Sequence, residues 1–469
     1  MAKEKEKFES YVSSVMKQYG AAGMAVSVFS RDSTIYQKFF GYRDLERKEK
    51  IDENTIFGMA SLSKSFTALS IMKMAEDGNI SLWDPVPIYI PELSDNRIRI
   101  SHLLAHSAGY FPLKRILARE IAESLGIFYE TDGPLRGKIR ELAGDSLLAK
   151  KGLELVCARL NRQERRLGEP GEYMSYSNDG YGILSEIIHL YGGLDSYKEY
   201  LETNIFKPLG MKRTFCGFVA PAEDENCTEL YIHRGNMLEH SRDFYDNAFV
   251  LMGGGAVKST IQDMKQYVRM YLNGGKPVVG GKSIREMYKP REEYHYGQWY
   301  GYGLTTKQMD GLTVIGHGGS LTGISNYMAW EPHLGIGVLV FCNTTGVPAV
   351  RVAEMALRWT AGLDPDISDQ KPRHPWDGEM IRRAAGIYRS EEGNTVKLTD
   401  ENGHVGIEIN GQPAMCQMFL PGVLEVKLPL ASDDLMLLEN GNGTVFGVRF
   451  RGRVLPRAES TDSGKGGME

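Results

Sequence analysis

The stretch that decides the fold is Phe57-Gly58-Met59-Ala60-Ser61-Leu62-Ser63-Lys64, which opens a strongly apolar segment. That segment ends at Asp77-Gly78, where glycine follows the C-cap position of a helix. A helix that is apolar on all sides is expected to be buried. Residues three apart on a helix are neighbours, with Cβ atoms roughly 5–6 Å apart, so the sequence predicts that Ser61 and Lys64 meet on one face.

This pair of side chains is able to do chemistry. A buried setting disfavours the charged form of a lysine, and a neutral amine beside a hydroxyl can act as a base. The helix start also offers free N–H groups and a positive dipole end to an oxyanion. The structural alternative is that Ser61 caps the helix and Lys64 is solvated. Two more Ser-x-x-Lys patterns, at Ser14–Lys17 and Ser70–Lys73, are interpreted as helix surface.

A second polar motif is Tyr176-Ser177-Asn178, which a turn presents just before an amphipathic helix. A tyrosine with an unperturbed pKa of about 10 becomes a useful proton shuttle only when cations lower that pKa, and Lys64 could supply the charge. Asn178 carries both a donor and an acceptor, so it could hold Lys64 and a substrate amide. The alternative is a turn tyrosine followed by an asparagine that caps the helix.

The third motif is His317-Gly318-Gly319-Ser320, placed at the end of a predicted strand, Leu312–Ile315. Glycines allow a substrate backbone to lie against the edge of a strand. The N–H of Ser320 could be the second donor to an oxyanion, with the N–H of Ser61 as the first. The alternative is a bulge or hairpin turn that contains an incidental histidine.

The wider pattern predicts an α+β fold, with one antiparallel sheet flanked by helices and an all-helical lobe beside it. An amphipathic helix is predicted at Lys3–Tyr19, and residues 61–290 are mainly helical in pattern. Strand patterns lie on both sides of that region, in two predicted hairpins: Met24–Ser30 with Ile35–Gly41, and Ser325–Trp330 with Gly335–Cys342. A site is expected between the lobe and the sheet.

The end of the chain has a different character. In residues 376–455, short β-like runs alternate with turn signals such as Asn410-Gly411, which predicts a small C-terminal antiparallel β-barrel. Residues 1–362 are therefore predicted to form the main domain, 363–375 a linker, 376–455 the barrel and 456–469 a disordered tail.

Composition narrows the classes of function. A net charge of −5 argues against a nucleic-acid partner, and no apolar run is long enough to span a membrane. Met1–Ser10 is charged and lacks the apolar core of a signal peptide. The five cysteines are scattered without a Cys-x-x-Cys pair, which is typical of free thiols in the cytoplasm. The sequence thus predicts a cytoplasmic protein.

Metal binding is the weaker interpretation of His102 and His106. Their spacing of four residues would allow them to share an ion, but no glutamate follows His102 as in a His-Glu-x-x-His motif. They are interpreted as structural histidines. The sequence predicts no metal and no cofactor.

The three motifs, in this order, resemble those of class C serine β-lactamases, penicillin-binding DD-peptidases and their esterase and D-aminopeptidase relatives. Ile100–Gly109, Gly254–Thr260 and Tyr300–Gly303 look like further stretches of that family. The resemblance covers about residues 8–362, and residues 376–455 resemble the lipocalin-like C-terminal domains of some members.

The resemblance implies a role for each matching residue. Ser61 would be the acylated nucleophile and Lys64 its partner amine. Tyr176 would carry a proton to the leaving group and activate the water that removes the acyl group. Asn178 would orient Lys64 and the substrate amide, and His317 with Gly319 would form the third motif.

The chain departs from the family pattern at the third motif. True β-lactamases usually have lysine at the position of His317, and a neutral histidine attracts a substrate carboxylate less. Gly318 replaces a residue that often carries a hydroxyl. Both changes favour a peptidase or esterase over efficient antibiotic hydrolysis. The segment Tyr110–Arg166 is longer than usual in the family and could cover the pocket as a lid.

The sequence therefore predicts a serine hydrolase that forms an acyl-enzyme on Ser61. Its expected substrates are small peptides or related amides, including peptides that contain D-amino acids. The alternatives are a carboxylesterase, a weak β-lactamase and, from another class, a catalytically inactive penicillin- or peptide-binding protein. The C-terminal barrel could also join copies of the chain into a homo-oligomer.

Overall fold

The computed structural model of this 469-residue chain describes residues 2–114, 146–217, 224–235, 237–241, 251–364, 371–428 and 432–458. Most of the predicted lid, Tyr110–Arg166, lies outside these residues. The middle of the predicted linker and nearly all of the predicted tail also lie outside them. The expectations for these segments, and the domain boundaries as such, stay predictions.

The main sheet contains nine antiparallel strands and confirms the predicted α+β architecture. Among the described residues, the strands that precede the barrel are β1 (Gly23–Ser30), β2 (Thr34–Asp44), β3 (Glu49–Lys50), β4 (Phe57–Gly58), β5 (Phe215–Cys216), β6 (Leu230–Arg234), β7 (Met237–Ser241), β8 (Val257–Ser259), β9 (Glu292–His295), β10 (Gln298–Tyr300), β11 (Thr305–Met309), β12 (Leu312–Leu321), β13 (Ile324–Glu331) and β14 (Ile336–Cys342). The order across the main sheet is β3-β2-β1-β14-β13-β12-β11-β10-β9. Early and late strands thus meet at β1 and β14, where Val26 lies opposite Val340.

Both predicted hairpins are confirmed, but the predicted end of β12 is wrong. The strand does not stop at Ile315; it continues to Leu321, where it pairs with Ile324 of β13. His317, Gly318 and Gly319 consequently lie inside a strand and not in a turn. The three glycines of this strand weaken the β-pattern in the sequence, although pairing with β13 holds the backbone extended.

Helices cover both faces of the sheet. Those that the structure describes are α1 (Ala2–Gln18), α2 (Ser63–Glu76), α3 (Ile100–Leu104), α4 (Ser146–Asn161), α5 (Asn178–Tyr191), α6 (Tyr197–Leu201), α7 (Ile261–Leu272), α8 (Gly281–Tyr288), α9 (Ala349–Thr360) and α10 (Gly378–Ala384). None of these described helices has both the length and the apolar character that a membrane span requires. Helix α1 confirms the predicted N-terminal helix, and the described helices between residues 63 and 288 confirm the predicted helical region.

The alternation of side chains along β14 separates two cores. Successive side chains of a strand point to opposite faces, so Val338 and Val340 face one core while Leu339 and Phe341 face the other. The first core lies under α1 and α9, where Phe8 stacks on a tryptophan of α9 with ring centroids 5.5 Å apart. The second core joins the sheet to α2, α7 and the helical lobe. This three-layer packing fixes α2 against the sheet.

The C-terminal barrel is a meander of eight antiparallel strands, as predicted in type. Its strands are β15 (Gly386–Arg389), β16 (Thr395–Asp400), β17 (Val405–Ile409), β18 (Gln412–Leu420), β19 (Val423–Lys427), β20 (Ser432–Glu439), β21 (Val445–Phe450) and β22 (Arg453–Pro456). A bridge between Tyr388 and Arg457 brings the first and last strands together, so the barrel is nearly closed. Strands β18 and β22 were not among the β-like runs predicted from the sequence.

The five cysteines form no disulfide bond, so the fold depends on its packed cores. The barrel contacts the main domain at the edge of the sheet and at the turn before α5. Tyr296 packs against Phe419 with ring centroids 5.3 Å apart, and Tyr173 packs against Phe446 at 5.5 Å. These contacts place the last hairpin of the barrel beside Tyr176.

Candidate active site

Ser61 lies in a tight turn of 3₁₀ helix, Ala60–Leu62, immediately before α2. The helix itself begins at Ser63, slightly later than the sequence suggested. Ala60 has a φ of 48°, a left-handed conformation that an alanine rarely adopts. Neighbouring strands hold the turn, since Met59 N donates to Val257 O at 2.9 Å and Asn326 Nδ2 donates to Gly58 O at 2.7 Å. Such local strain is typical of functional sites, and Ser61 itself stays partly exposed.

The amine of Lys64 is fully buried and lies among three oxygen atoms. Its Nζ is 2.8 Å from Asn178 Oδ1, 2.8 Å from Gly254 O and 3.3 Å from Ser61 Oγ. Asn178 and Gly254 can only accept at those oxygens, so two hydrogens of the amine are directed to them. The third tetrahedral position of Nζ faces Ser61. A neutral Lys64 would present its lone pair there, which is the geometry of a base that takes the Ser61 proton.

Tyr176 lies over the same amine, and its phenol is buried. The centre of its ring is 4.8 Å from Lys64 Nζ. Among the described residues, its hydroxyl has no hydrogen-bond partner of regular geometry. Burial raises the pKa of Tyr176 well above the usual value and Tyr294 adds to this rise, whereas Ser61 and Arg453 act to lower it. Tyr176 also lines the cleft, so its hydroxyl could exchange a proton with a bound ligand.

The two histidines interpreted as structural contact the backbone around this site. His106 Nδ1 accepts from Ser177 N at 3.1 Å, and the His106 ring lies 4.3 Å from the ring of Tyr176. His102 Nδ1 accepts from Arg99 N at 3.2 Å. The two rings therefore have separate partners. Within the described residues, no group of three or more His, Cys, Asp or Glu could hold a metal ion.

His317 is neutral in this environment. Burial, and then the charge of Lys64, lower the pKa of His317 to about 3. Its Nδ1 donates to Gly318 O at 2.6 Å, which leaves Nε2 to accept from Tyr300 Oη at 3.0 Å. Both ring nitrogens are thus occupied, and His317 brings no positive charge to the cleft.

Two features of β12 make room for a substrate next to Ser61. A Cβ atom at Gly319 would overlap Met59 O and lie 2.8 Å from Leu62 Cδ1, so glycine allows the strand to touch the Ser61 turn. Strand β11 pairs with β12 only as far as Gly316, whereas β13 pairs with it as far as Leu321. Residues 317–321 therefore have a backbone edge that β11 leaves unpaired, and an extended peptide could pair with it.

These groups line a cleft of about 1050 Å³. Ser61, Tyr176 and the edge of β12 form one part of its wall, and the barrel contributes Met415, Lys427 and Arg453. The structure thus brings together all the residues selected from the sequence: Ser61, Lys64, Tyr176, Asn178, His317, Gly319 and Ser320.

Three further groups of the site were not predicted from the sequence: Gly254 O, Tyr300 and Arg453. Gly254 and Tyr300 lie in stretches that resembled the family, which was a usable signal. Arg453 carries no local signal, because only the folding of the barrel brings it next to Tyr176.

A buried Ser-x-x-Lys pair with a Tyr-x-Asn motif and a glycine-rich strand edge, on a helix-covered antiparallel sheet, defines the class of penicillin-recognising serine hydrolases. The chain belongs to the Beta-lactamase family, whose sequence model matches residues 8–362. Members of this family are serine hydrolases that act through an acyl-enzyme.

Known proteins extend this similarity beyond the main domain. Penicillin-binding protein 4* of Bacillus subtilis (strain 168) is 24% identical over 399 residues, which cover 81% of this chain and 82% of that protein. The D-aminopeptidase of Gluconobacter oxydans (strain 621H) is 22% identical over 384 residues, 81% of this chain and 67% of that protein. The octameric penicillin-binding protein homologue from Pyrococcus abyssi has the same fold, with a TM-score of 0.65 at 24% identity, covering 96% of this chain and 99% of that one.

Gly319→Ala should displace the Ser61 turn, because the added methyl group overlaps Met59 O. We expect Ser61 to react with a fluorophosphonate roughly tenfold to a hundredfold more slowly, since small displacements of reacting groups are costly. Gly318→Ala is the matched control, because its methyl group would meet the Tyr327 ring at an ordinary 3.6 Å. Equal labelling rates for the two variants would contradict the role assigned to Gly319.

His317→Gln should reduce the acid sensitivity of the fold. In the unfolded chain a histidine takes up a proton near pH 6.5, whereas folded His317, whose pKa is lowered to about 3, does not. The folded state therefore loses stability as pH falls below about 6.5, and the loss continues down to the folded pKa. Melting temperatures measured between about pH 7 and pH 4 should fall less in His317→Gln than in the wild type.

The exposed His404 provides the control for this pH dependence. His404→Gln should follow the wild-type curve. If His317→Gln also runs parallel to the wild type over the whole range, the neutral state of His317 is refuted.

Proposed function

We propose that this chain is an amide hydrolase that is acylated on Ser61 and acts on small peptides or related amides. The observation that carries the proposal is the position of Lys64 Nζ, which lies 3.3 Å from Ser61 Oγ while Asn178 and Gly254 hold its other two directions. In the first step Ser61 Oγ attacks the substrate carbonyl, and its proton passes to the Lys64–Tyr176 pair.

The N–H groups of Ser61 and Ser320 are the proposed donors to the oxyanion. Ser61 precedes α2, where backbone N–H groups are free and the helix dipole favours negative charge. Ser320 lies on the free edge of β12 and is exposed to the cleft. Tyr176 then gives a proton to the leaving nitrogen and, in the second half of the reaction, takes one from the water that attacks the ester.

The cleft favours peptides over β-lactam antibiotics. A neutral, buried His317 brings no cation to the edge of β12, where a charged group would attract the carboxylate of a β-lactam. The unpaired edge at residues 317–321 suits an extended peptide. Similarity to a D-aminopeptidase over 81% of the chain supports peptides with D-amino acids. Esterase or weak β-lactamase activity is the close alternative.

The proposed domain organisation keeps the boundaries predicted from the sequence, with the barrel as a second domain after residue 375. The barrel is a candidate for contacts between copies of this chain, since the homologue from Pyrococcus abyssi is octameric and shares the fold over nearly the whole length. That assembly is proposed only as a homo-oligomer of unspecified size.

Ser61→Ala should abolish formation of the acyl-enzyme. Wild-type protein treated with a fluorophosphonate should gain the mass of one adduct on Ser61, and the variant should gain none. Turnover of L- and D-aminoacyl anilides, nitrophenyl acetate and nitrocefin should fall by about 10³-fold or more for each compound that the wild type hydrolyses.

Ser70→Ala is the matched control, because Ser70 belongs to a second Ser-x-x-Lys pattern on the same helix. Ser70 is buried and not on the helix surface expected from the sequence, and among the described residues its hydroxyl donates to Phe66 O at 2.9 Å. It should retain the adduct and the turnover. Unchanged turnover in Ser61→Ala would overturn the proposal, and binding of a penicillin without turnover of any compound would identify an inactive binding protein.

A further inference from the structure

We propose that the C-terminal barrel supplies a fixed cation to the active site, namely Arg453, and that Arg453 positions and activates Tyr176. This inference rests on the proposed function of Ser61 and adds a positioning residue to it. Arg453 is the first residue of β22, and its guanidinium carbon lies 5.0 Å from the centre of the Tyr176 ring.

Two backbone contacts fix Arg453 in this place. Tyr176 N donates to Gly452 O at 2.8 Å, and Val454 N donates to Ser175 Oγ at 3.1 Å. The residues on both sides of Arg453 are therefore bonded to the same short segment that carries Tyr176. Gly452 has a φ of 73°, and a side chain there would overlap the ring of Tyr294, so the turn is built for close approach.

The side chain of Arg453 is held from within the barrel as well. Its Nε forms an ion pair with Glu392, which lies in the turn between β15 and β16. The Arg453 side chain is 22% exposed and that of Glu392 is 17% exposed, so a largely desolvated pair lies beside the Tyr176 ring. A cation over an aromatic face is favourable, and a guanidinium keeps its charge at every accessible pH.

The positive charge of Arg453 can stabilise the deprotonated phenol of Tyr176 throughout the reaction, which Lys64 is unable to do. Lys64 is charged only while it carries the proton that it shares with Tyr176, so it offers no constant positive charge to the phenol. Burial penalises the charged form of Tyr176, and the nearby cation Arg453 acts with Ser61 to offset that penalty. Arg453 retains its charge throughout the reaction and is placed to provide that offset.

Around Tyr176, few described groups other than Arg453 keep a charge over the whole accessible pH range. Burial holds the pKa of His106 well below its usual value and that of His317 at about 3, so both are neutral. Among the described residues, the titratable and charged groups that face Tyr176 or Arg453 are Lys64 of α2, His106, Asp179 and Tyr181 of α5, Tyr294 of β9, Tyr300 of β10, His317 of β12 and Glu392 of the barrel.

The test is the pH dependence of the rate at which a fluorophosphonate labels Ser61. In this reaction the Ser61 proton passes to the Lys64–Tyr176 pair, Oγ bonds to phosphorus, and fluoride leaves with the bonding electrons. The pair titrates as a unit, and a cation beside it lowers its affinity for a proton. Loss of Arg453 should therefore move the rising limb of the rate profile to higher pH.

Arg453→Gln should shift the midpoint of that limb upward by about one pH unit, the size of effect expected for a charge about 5 Å away. Arg453→Lys should restore most of the wild-type midpoint. Arg451→Gln is the matched control, because Arg451 is on the same turn but pairs with the exposed side of the barrel through Asp433 at 3.1 Å. Its midpoint should equal that of the wild type.

Circular dichroism at each pH gives the folded fraction, and dividing each rate by that fraction keeps the midpoint valid for a partly unfolded variant. In a Tyr176→Phe background, Arg453→Gln should cause no further shift, which shows that Arg453 acts through Tyr176. A midpoint for Arg453→Gln equal to that of Arg451→Gln overturns the inference. Failure of the wild type to form an adduct on Ser61 overturns the proposed function instead, so the two failures are distinguishable.

Discussion

The buried amine of Lys64 is surrounded by oxygen atoms from three separate parts of the chain. Ser61 comes from the turn before α2, Asn178 from the start of α5, and Gly254 from the segment before β8. Burying an amine costs free energy unless hydrogen-bond partners surround it. The native state is therefore stable only when these three segments lie together around Lys64. The same requirement that stabilises the amine therefore also brings together the proposed nucleophile, base and orienting amide. Gly319 completes the arrangement by allowing β12 to touch the Ser61 turn.

The apolar frame makes this arrangement rigid. Strand β14 separates two cores, one under α1 and α9 and the other under α2 and α7, so the sheet and α2 are fixed relative to each other. The polar site lies at the boundary of the second core, where glycines keep the backbone of β12 close and free on one edge. The barrel contacts the main domain through the hairpin at Gly452, whose carbonyl accepts from Tyr176 N. Side chains of the barrel, such as Arg453, therefore line part of the cleft.

The sequence predicted those features that depend on short spacings. Ser61 and Lys64 are three residues apart, the Asn410-Gly411 turn separates two strands of the barrel, and β13 with β14 forms a hairpin; local geometry determines each of these. The extent of β12 was missed because its glycines carry no β-pattern, and pairing with β13 alone extends it. Arg453 was missed because its neighbourhood is created by contacts between residues that are far apart in sequence. Pairs of residues that are close in sequence could therefore be predicted, whereas the residues that shape the cleft through long-range contacts could not.

The central claim is that three distant segments hold Ser61 for attack on a carbonyl group, with oxyanion donors on both sides. A crystal structure of the protein after reaction with a fluorophosphonate tests this claim most directly. The account predicts phosphorus bonded to Ser61 Oγ, a phosphoryl oxygen within hydrogen-bonding distance of both Ser61 N and Ser320 N, and Tyr176 next to the adduct. A phosphonate bound to another residue, or an adduct on Ser61 whose oxygen points away from both N–H groups, would contradict it.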